Sequence, residues 1–172
     1  MISVLAGCTG IEGSSARPGV QVAVSHEAHT RVDVLFARDI IEHSAQAVGL
    51  SSQITGMKGI AAEVAAIANR IIASSTNRTN ELQSLLLDWG FAPMTPGPPP
   101  AAAMPSVAVQ PGEHPLFSDV DVRRLAGAAG GPQAAAVYVD LMIRQHTFTI
   151  SAARDELQSG SHPGALTTAR AN

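Results

Sequence analysis

Four side chains at helical spacing could hold an ion. Asp39 and His43 are four residues apart, and so are Met142 and His146. Residues at i and i+4 share one face of a helix, so each pair could aim two donors at one point. A carboxylate beside an imidazole can hold a cation or simply fix the imidazole tautomer. A thioether beside an imidazole suits a soft ion such as Cu(I). Taken alone, either histidine is more often a satisfied core or boundary residue than a ligand. Other constellations point away from catalysis. Glu42 is adjacent to His43, and Glu63 and Glu81 have no histidine at the right spacing, so the Glu plus Glu-x-x-His set of di-iron bundles is not formed. No Ser/His/Asp or Cys/His nucleophile arrangement and no phosphate loop stands out, and no enzyme activity is expected. His26 and His29 read as solvated residues, and His114 and His162, each before a proline, as loop residues. Arg38, Glu42 and Gln46 read as a solvated or subunit-contacting edge, and Asp140 with Arg144 as an ordinary i,i+4 pair.

The remaining chemistry lies at Cys8. The segment Leu5-Ala6-Gly7-Cys8 resembles a lipobox, where a signal peptidase cuts before a cysteine that carries a thioether-linked lipid. Ala6 and Gly7 supply the small residues a narrow peptidase site requires, and the thiol is the nucleophile that takes the lipid. Each buried CH₂ of such a lipid contributes roughly 0.8 kcal/mol, so several acyl chains anchor firmly. Seven residues, none basic, precede Cys8. A full signal has a basic stretch and a longer apolar one, so residues 1–7 are expected to be the remnant of a signal peptide. The alternative is a chance Leu-Ala-Gly-Cys with a buried thiol. Residues 8–24, with Ser14, Ser15, Pro18 and Gly19, fit a lipidated flexible tether.

Composition bounds the rest. The chain has 172 residues, 45% of them hydrophobic, enough for one domain with a core. Aromatic residues are only 3%, so the apolar content is mostly Ala, Val, Ile and Leu, which suits closely packed helices. The net charge of −3 offers no basic stripe, and no nucleic-acid partner is expected. No apolar run reaches the roughly 18 residues that would span a bilayer.

The elements that must position these residues are helical. Phe36, Ile40, His43, Ala47, Leu50 and Ile54 recur at spacings of four and three, one apolar stripe on a helix over about 26–54. Thr30 or Ser25 could cap it, with Asp33 three residues after Thr30 as in a capping box. Gly56 stops it. A second helix is predicted over about 58–88, with the polar stretch Ser74 to Asn80 either kinking it or facing solvent. Residues 91–117 form a linker in which Pro96-Gly97-Pro98-Pro99-Pro100 is extended. Ser118 caps a short helix closed by Gly130-Gly131, and Pro132 opens a third long helix reaching about residue 158. Pro163 to Ala171 can add about two turns. The fold class is all-α: residues 25–172 form an antiparallel bundle with a Pro-rich crossover. Phe36, Ile40, Leu50, Ile67, Ile71, Leu82, Leu85, Ile143, Ile150 and Leu157 are the expected core.

Two segments of the chain resemble each other. One runs Asp33-Val34-Leu35-Phe36-Ala37-Arg38-Asp39-Ile40-Ile41-Glu42-His43-Ser44-Ala45-Gln46-Ala47. The other runs Val137-Tyr138-Val139-Asp140-Leu141-Met142-Ile143-Arg144-Gln145-His146. Both resemble the repeated signature of the ferritin-like family catalogued as domain of unknown function 305: an Asp, a Phe, then Met-Met-Ile-x-His-His and a small residue. Glu81-Leu82 with Trp89-Gly90, and Asp155 to Pro163, also match the family's pattern. The resemblance runs from about Ser25 to the C-terminus. It implies a four-helix ferritin-like bundle, usually exported, some members of which are linked to copper through His and Met. The chain departs from the signature at its ligand positions. His-His is His43-Ser44 in the first motif and Gln145-His146 in the second, and Met-Met is Asp39-Ile40 in the first. Leu85 stands where the second helix often has Met, and the linker keeps only Met94 and Met104.

The two halves can be aligned in two ways. Matching His43 to His146 sets the motifs 103 residues apart; matching Ile41 to Ile143 sets them 102 apart and pairs His43 with Gln145. The expected function is a non-catalytic envelope lipoprotein. It would be a scaffold or accessory subunit on the extracytoplasmic face of a bacterial cell membrane, held by lipid on Cys8, with a protein partner or a second copy. The alternative is a copper-handling protein using His43, His146, Met142, Asp39 and the linker methionines.

Overall fold

The structure is a computed structural model that describes residues 28–95 and 116–172. The signal remnant, Cys8, its tether and most of the Pro-rich linker lie outside the described residues. Within them every regular element is a helix.

Helix α1 spans Arg31–Thr55. It starts later than the periodicity alone suggests because Thr30 is extended and closes a reciprocal capping box with Asp33. Helix α2 spans Ala62–Asp88. Its start is also delayed, since Gly59 takes a left-handed φ of 75° and Ala61 is an extended cap without a side-chain bond. The polar stretch Ser74–Asn80 does not interrupt it, and Ser75 is buried. Helix α3, Asp119–Ala126, carries a second capping box, Ser118 with Asp121, and stops at Gly127 rather than at Gly130-Gly131. Helix α4 spans Gly131–Ser159 with Pro132 in its first turn, and α5 spans Pro163–Arg170.

Two core clusters define how the helices run. In one, Phe36, Ala37, Ile40 and Ile41 from the start of α1 meet Leu82 and Leu86 from the end of α2, Ala153 of α4, and Ala165 and Ala169 of α5. In the other, Leu50 and Ile54 from the end of α1 meet Ala68 of α2 and Ala134, Val137, Tyr138 and Leu141 of α4. The end of α1 thus touches the starts of both α2 and α4, so both run antiparallel to it. Ser51 and Tyr138 tie α1 to α4 through a 2.7 Å hydroxyl–hydroxyl hydrogen bond inside the second cluster. Where α2 begins, Gly131 lies against Gly59, and a β-carbon at Gly131 would sit 1.7 Å from the Gly59 carbonyl oxygen.

The expected core holds on α1 and fails on α4. Phe36, Ile40, Leu50 and Leu82 are buried, while Ile71 and Leu85 are partly buried against the clusters. Ile67, Ile143, Ile150 and Leu157 are exposed. The buried face of α4 carries Tyr138, Leu141, Met142, Gln145, Phe148 and Thr149. A stripe chosen by aliphatic type passed over that face because it contains Gln145 and Thr149. The observed rotation buries the rings of Tyr138 and Phe148, large groups whose removal from water is strongly favourable.

Candidate functional site

The two motif helices pack with His43 opposite Gln145. The Gln145 side-chain amide donates to the His43 carbonyl at 3.4 Å, and both residues are buried. The 102-residue alignment is therefore the structural one. Phe36 and Tyr138 occupy equivalent buried positions, as do Ile40 and Met142.

The four candidate ligands are placed differently from one another. The His43 ring is buried and stacks on Phe148, with centroids 3.8 Å apart. Met142 is buried within the second core cluster. His146 is exposed, and its Nδ1 lies 2.8 Å from the Met142 carbonyl of its own helix. Asp39 is exposed on α1. Met142 and His146 share a helix but not an environment, and no three His, Cys, Asp or Glu side chains among the described residues group as a metal would require. Met94 packs against the first core cluster, while Cys8, His26, Met104 and His114 lie outside the described residues.

A cavity of about 500 Å³ opens beside His43, between α1, the start of α3 and α4. Phe117, Ile143 and Phe148 supply apolar walls, and Asp121 and Arg144 the charge. Arg144 donates to Asp121 at 2.8 Å and lies 5.5 Å over the Phe117 ring. Burial works against the Asp121 carboxylate, but hydrogen bonds from Arg144 and Ser118 hold it below its ordinary range. Gln46, expected on a solvated edge, pins the chain where it enters α3: the Phe117 amide donates to Gln46 Oε1 at 2.8 Å, and Gln46 Nε2 donates back to the Phe117 carbonyl at 3.1 Å. The cavity offers one buried imidazole, apolar walls and one ion pair, an arrangement suited to binding.

A second cluster, which sequence spacing does not assemble, joins the start of α1 to the turn between α4 and α5. Asp33 is fully buried and accepts from the Thr30 amide and hydroxyl, each at 2.6 Å. It also accepts from the Ser161 amide at 3.0 Å, the Ser161 hydroxyl at 3.3 Å and the His162 amide at 2.8 Å. Burial alone would raise the Asp33 pKa, but these donors hold it far below the carboxylate range. Beside it lies Glu156, also fully buried, whose oxygens meet no donor among the described residues. Burial first, then a proton shared with Asp33 and the Asp33 charge, push Glu156 up to about 8. Gly160 packs directly on this carboxyl, where a β-carbon would lie 2.3 Å from Glu156 Oε1. The pair therefore carries one charge and one proton at neutral pH.

Aromatic rings close the same end. Trp89 stacks on His29 at 4.9 Å and meets His162 edge-on at 4.9 Å, while Arg38 sits 5.3 Å over Phe91. His29 is thus a packing residue rather than a solvated one. His162 is a buried cap of α5 rather than a loop residue, its Nδ1 accepting from the Gly164 amide at 3.1 Å. The one available signal for this cluster was the run from Asp155 to Pro163, which matches the family's pattern; nothing in it singled out Glu156.

The sequence profile of the family described as domain of unknown function (DUF305) matches residues 33–171. The chain belongs to the DUF305 family. The match begins at Asp33, the buried carboxylate that joins α1 to the α4–α5 turn, and runs through α5. Two solved structures share the fold of this DUF305 chain. One is a DUF305 fragment from Deinococcus radiodurans, 24% identical with a TM-score of 0.66, covering 83% of this chain and 85% of that one. The other is a DUF305 protein from Streptomyces coelicolor described as a candidate secreted protein. It is 25% identical with a TM-score of 0.65, covering 81% and 82%. No protein with a curated description matches. No described helix is long and apolar enough to cross a membrane.

Proposed function

We propose that this DUF305 chain is a non-catalytic bundle held by lipid on Cys8 at the extracytoplasmic face of a bacterial cell membrane. There it serves as a scaffold or accessory subunit of a membrane-associated complex. The observation that carries this reading is the divergence of the motif imidazoles: His43 is buried on Phe148 while His146 is exposed on α4. Motif positions that would supply ligands are spent on packing and on the outer surface. A structural neighbour described as a candidate secreted protein supports an extracytoplasmic location. Leu5-Ala6-Gly7-Cys8 supports the anchor. The test is fractionation and intact mass of the chain expressed in a bacterium. The expected product begins at Cys8, carries added acyl mass and sediments with membranes, and Cys8→Ser releases it. A free thiol on a wholly soluble protein would refute the anchor.

A second reading is kept because His43 lines a cavity. In it, His43, His146 and Met142, helped by Asp39 or a linker methionine, hold copper outside the cytoplasm. A site that binds only the native state adds about 2.7 kcal/mol at a hundred times Kd. Adding Cu(I) to the metal-free chain is expected to shift its Tm by much less. A full shift abolished by His43→Ala or His146→Ala would favour the copper reading instead.

A further inference from the structure

The two halves of the bundle treat equivalent residues unequally. On α1, Ala37, Ile41 and Ser44 are buried, the first two in the cluster with Leu82 and Leu86 of α2. Their equivalents 102 residues on are Val139, Ile143 and His146, and all three are exposed. The reason is the length of the following helix. Helix α2 has 27 residues and lies along α1, whereas α5 has eight and joins the first cluster alongside Ala153, near the end of α4. The exposed face continues along α4 with Ile150 and Leu157. Val139, Ile150 and Leu157 are 41–43% exposed, and Ile143 is 62% exposed. The spacing Val139, Ile143, His146, Ile150 is four, three, four, the seam of a helix that expects a partner helix.

We propose that this face of α4 pairs with the same face of a second copy of the chain, antiparallel about a two-fold axis at the level of residue 148. This goes beyond the scaffold reading and does not depend on it. Self-complementarity and charge name the occupant. In an isologous contact, residue i meets j and j meets i. A two-fold at the level of residue 148 sets Val139 against Leu157 of the second copy, and His146 against Ile150 of the second copy, one imidazole among aliphatic side chains. One flank of the stripe carries Asp140, Thr147 and Arg154 at intervals of seven. The same two-fold brings Asp140 to within two residues, about 3 Å along the axis, of the level of Arg154 of the second copy, within reach of the long guanidinium side chain, and does so twice. Asp140 is half-committed at present, 3.6 Å from Arg124 and 3.8 Å from Arg144, on the surface. The stripe is about 27 Å long at 1.5 Å per residue. That is shorter than a standard-size interface supports, so the dimer is concentration-dependent, with a Kd on the order of 1–100 μM.

The test is sedimentation equilibrium on the full chain carrying Cys8→Ser, which removes both lipid and disulfide cross-linking. The expected result is a reversible monomer–dimer equilibrium that Ile143→Glu or Ile150→Glu shifts to monomer while helicity is unchanged. Asp140→Arg and Arg154→Asp should each weaken the dimer at least several-fold, and the double exchange should restore it. That rescue depends on the antiparallel register and not on fold. A chain that stays monomeric at concentrations on the order of 100 μM overturns the proposal. So does a dimer indifferent to Ile143→Glu, or a double exchange that does not rescue. If the Cys8→Ser chain stays monomeric yet binds lipid vesicles and loses them with Ile143→Glu, the face belongs to the membrane and the proposal fails.

Discussion

Replacing Glu156 with glutamine isolates the proton held in the buried acid pair. Glu156 has an ordinary pKa near 4.5 in an open chain and about 8 in the fold. Between those values the folded chain keeps a proton that the unfolded chain has lost, so unfolding releases it and stability falls as pH rises. The slope for one proton is at most about 1.4 kcal/mol per pH unit. From pH 5 to pH 7 the loss is thus at most about 3 kcal/mol. For a chain of this size, 1 kcal/mol moves Tm by roughly 2–4 °C, which gives a fall of several degrees. The glutamine side chain fills the same space, cannot ionise, and keeps an amide that can donate to Asp33 where the protonated acid did. The Tm of the Glu156→Gln variant should be nearly flat over that range, equal to or below wild type at pH 5 and above it at pH 8. Asp33 works in the opposite sense: its lowered pKa contributes stability above about pH 4 that is lost as pH falls. Every other ionisable group is common to both proteins, so the difference between the two curves reports Glu156. Melting curves followed by circular dichroism from pH 4 to 9 would check this. Parallel curves for wild type and Glu156→Gln would refute the assignment of the proton.

Three further outcomes follow from named contacts. Asp33→Asn removes a carboxylate that accepts five hydrogen bonds and should cost about 3 kcal/mol at pH 7, seen in urea titration, because it strands buried donors at the α4–α5 turn. Tyr138→Phe keeps the ring in the core but leaves Ser51 without its partner, and should cost about 1–2 kcal/mol with no change in helicity. Gly131→Ala sets a methyl against the Gly59 carbonyl, so the turn before α2 must move away from α4. A loss of about 1–3 kcal/mol in thermal unfolding is expected, and an unchanged Tm would mean the approach is not so close.

Much of the architecture was legible before any coordinates. Caps are local chemistry: Thr30 with Asp33 and Ser118 with Asp121 close their boxes within one turn, which made Ser118 legible as a cap and Thr30 one of two candidates beside Ser25. The stripe through Phe36, Ile40, Leu50 and Ile54 marked the buried face of α1 because two other long elements cover it broadly, so any apolar stripe there meets a neighbour. On α4 the same reasoning chose the exposed side. Two apolar stripes run along that helix, and periodicity alone cannot say which one meets α1. Contacts tens of residues apart in sequence decided it, through Tyr138 on Ser51 and Gln145 on His43. The same long-range pairing sent His43 inward and His146 outward, a separation that a one-residue difference in alignment produces on a helix turning about 100° per residue. The buried acid pair is another tertiary product. Asp33 looks like a capping residue and Glu156 like part of a polar helix end. Only the fold brings them together, shuts out water, and makes one carboxylate a clasp and the other a proton holder.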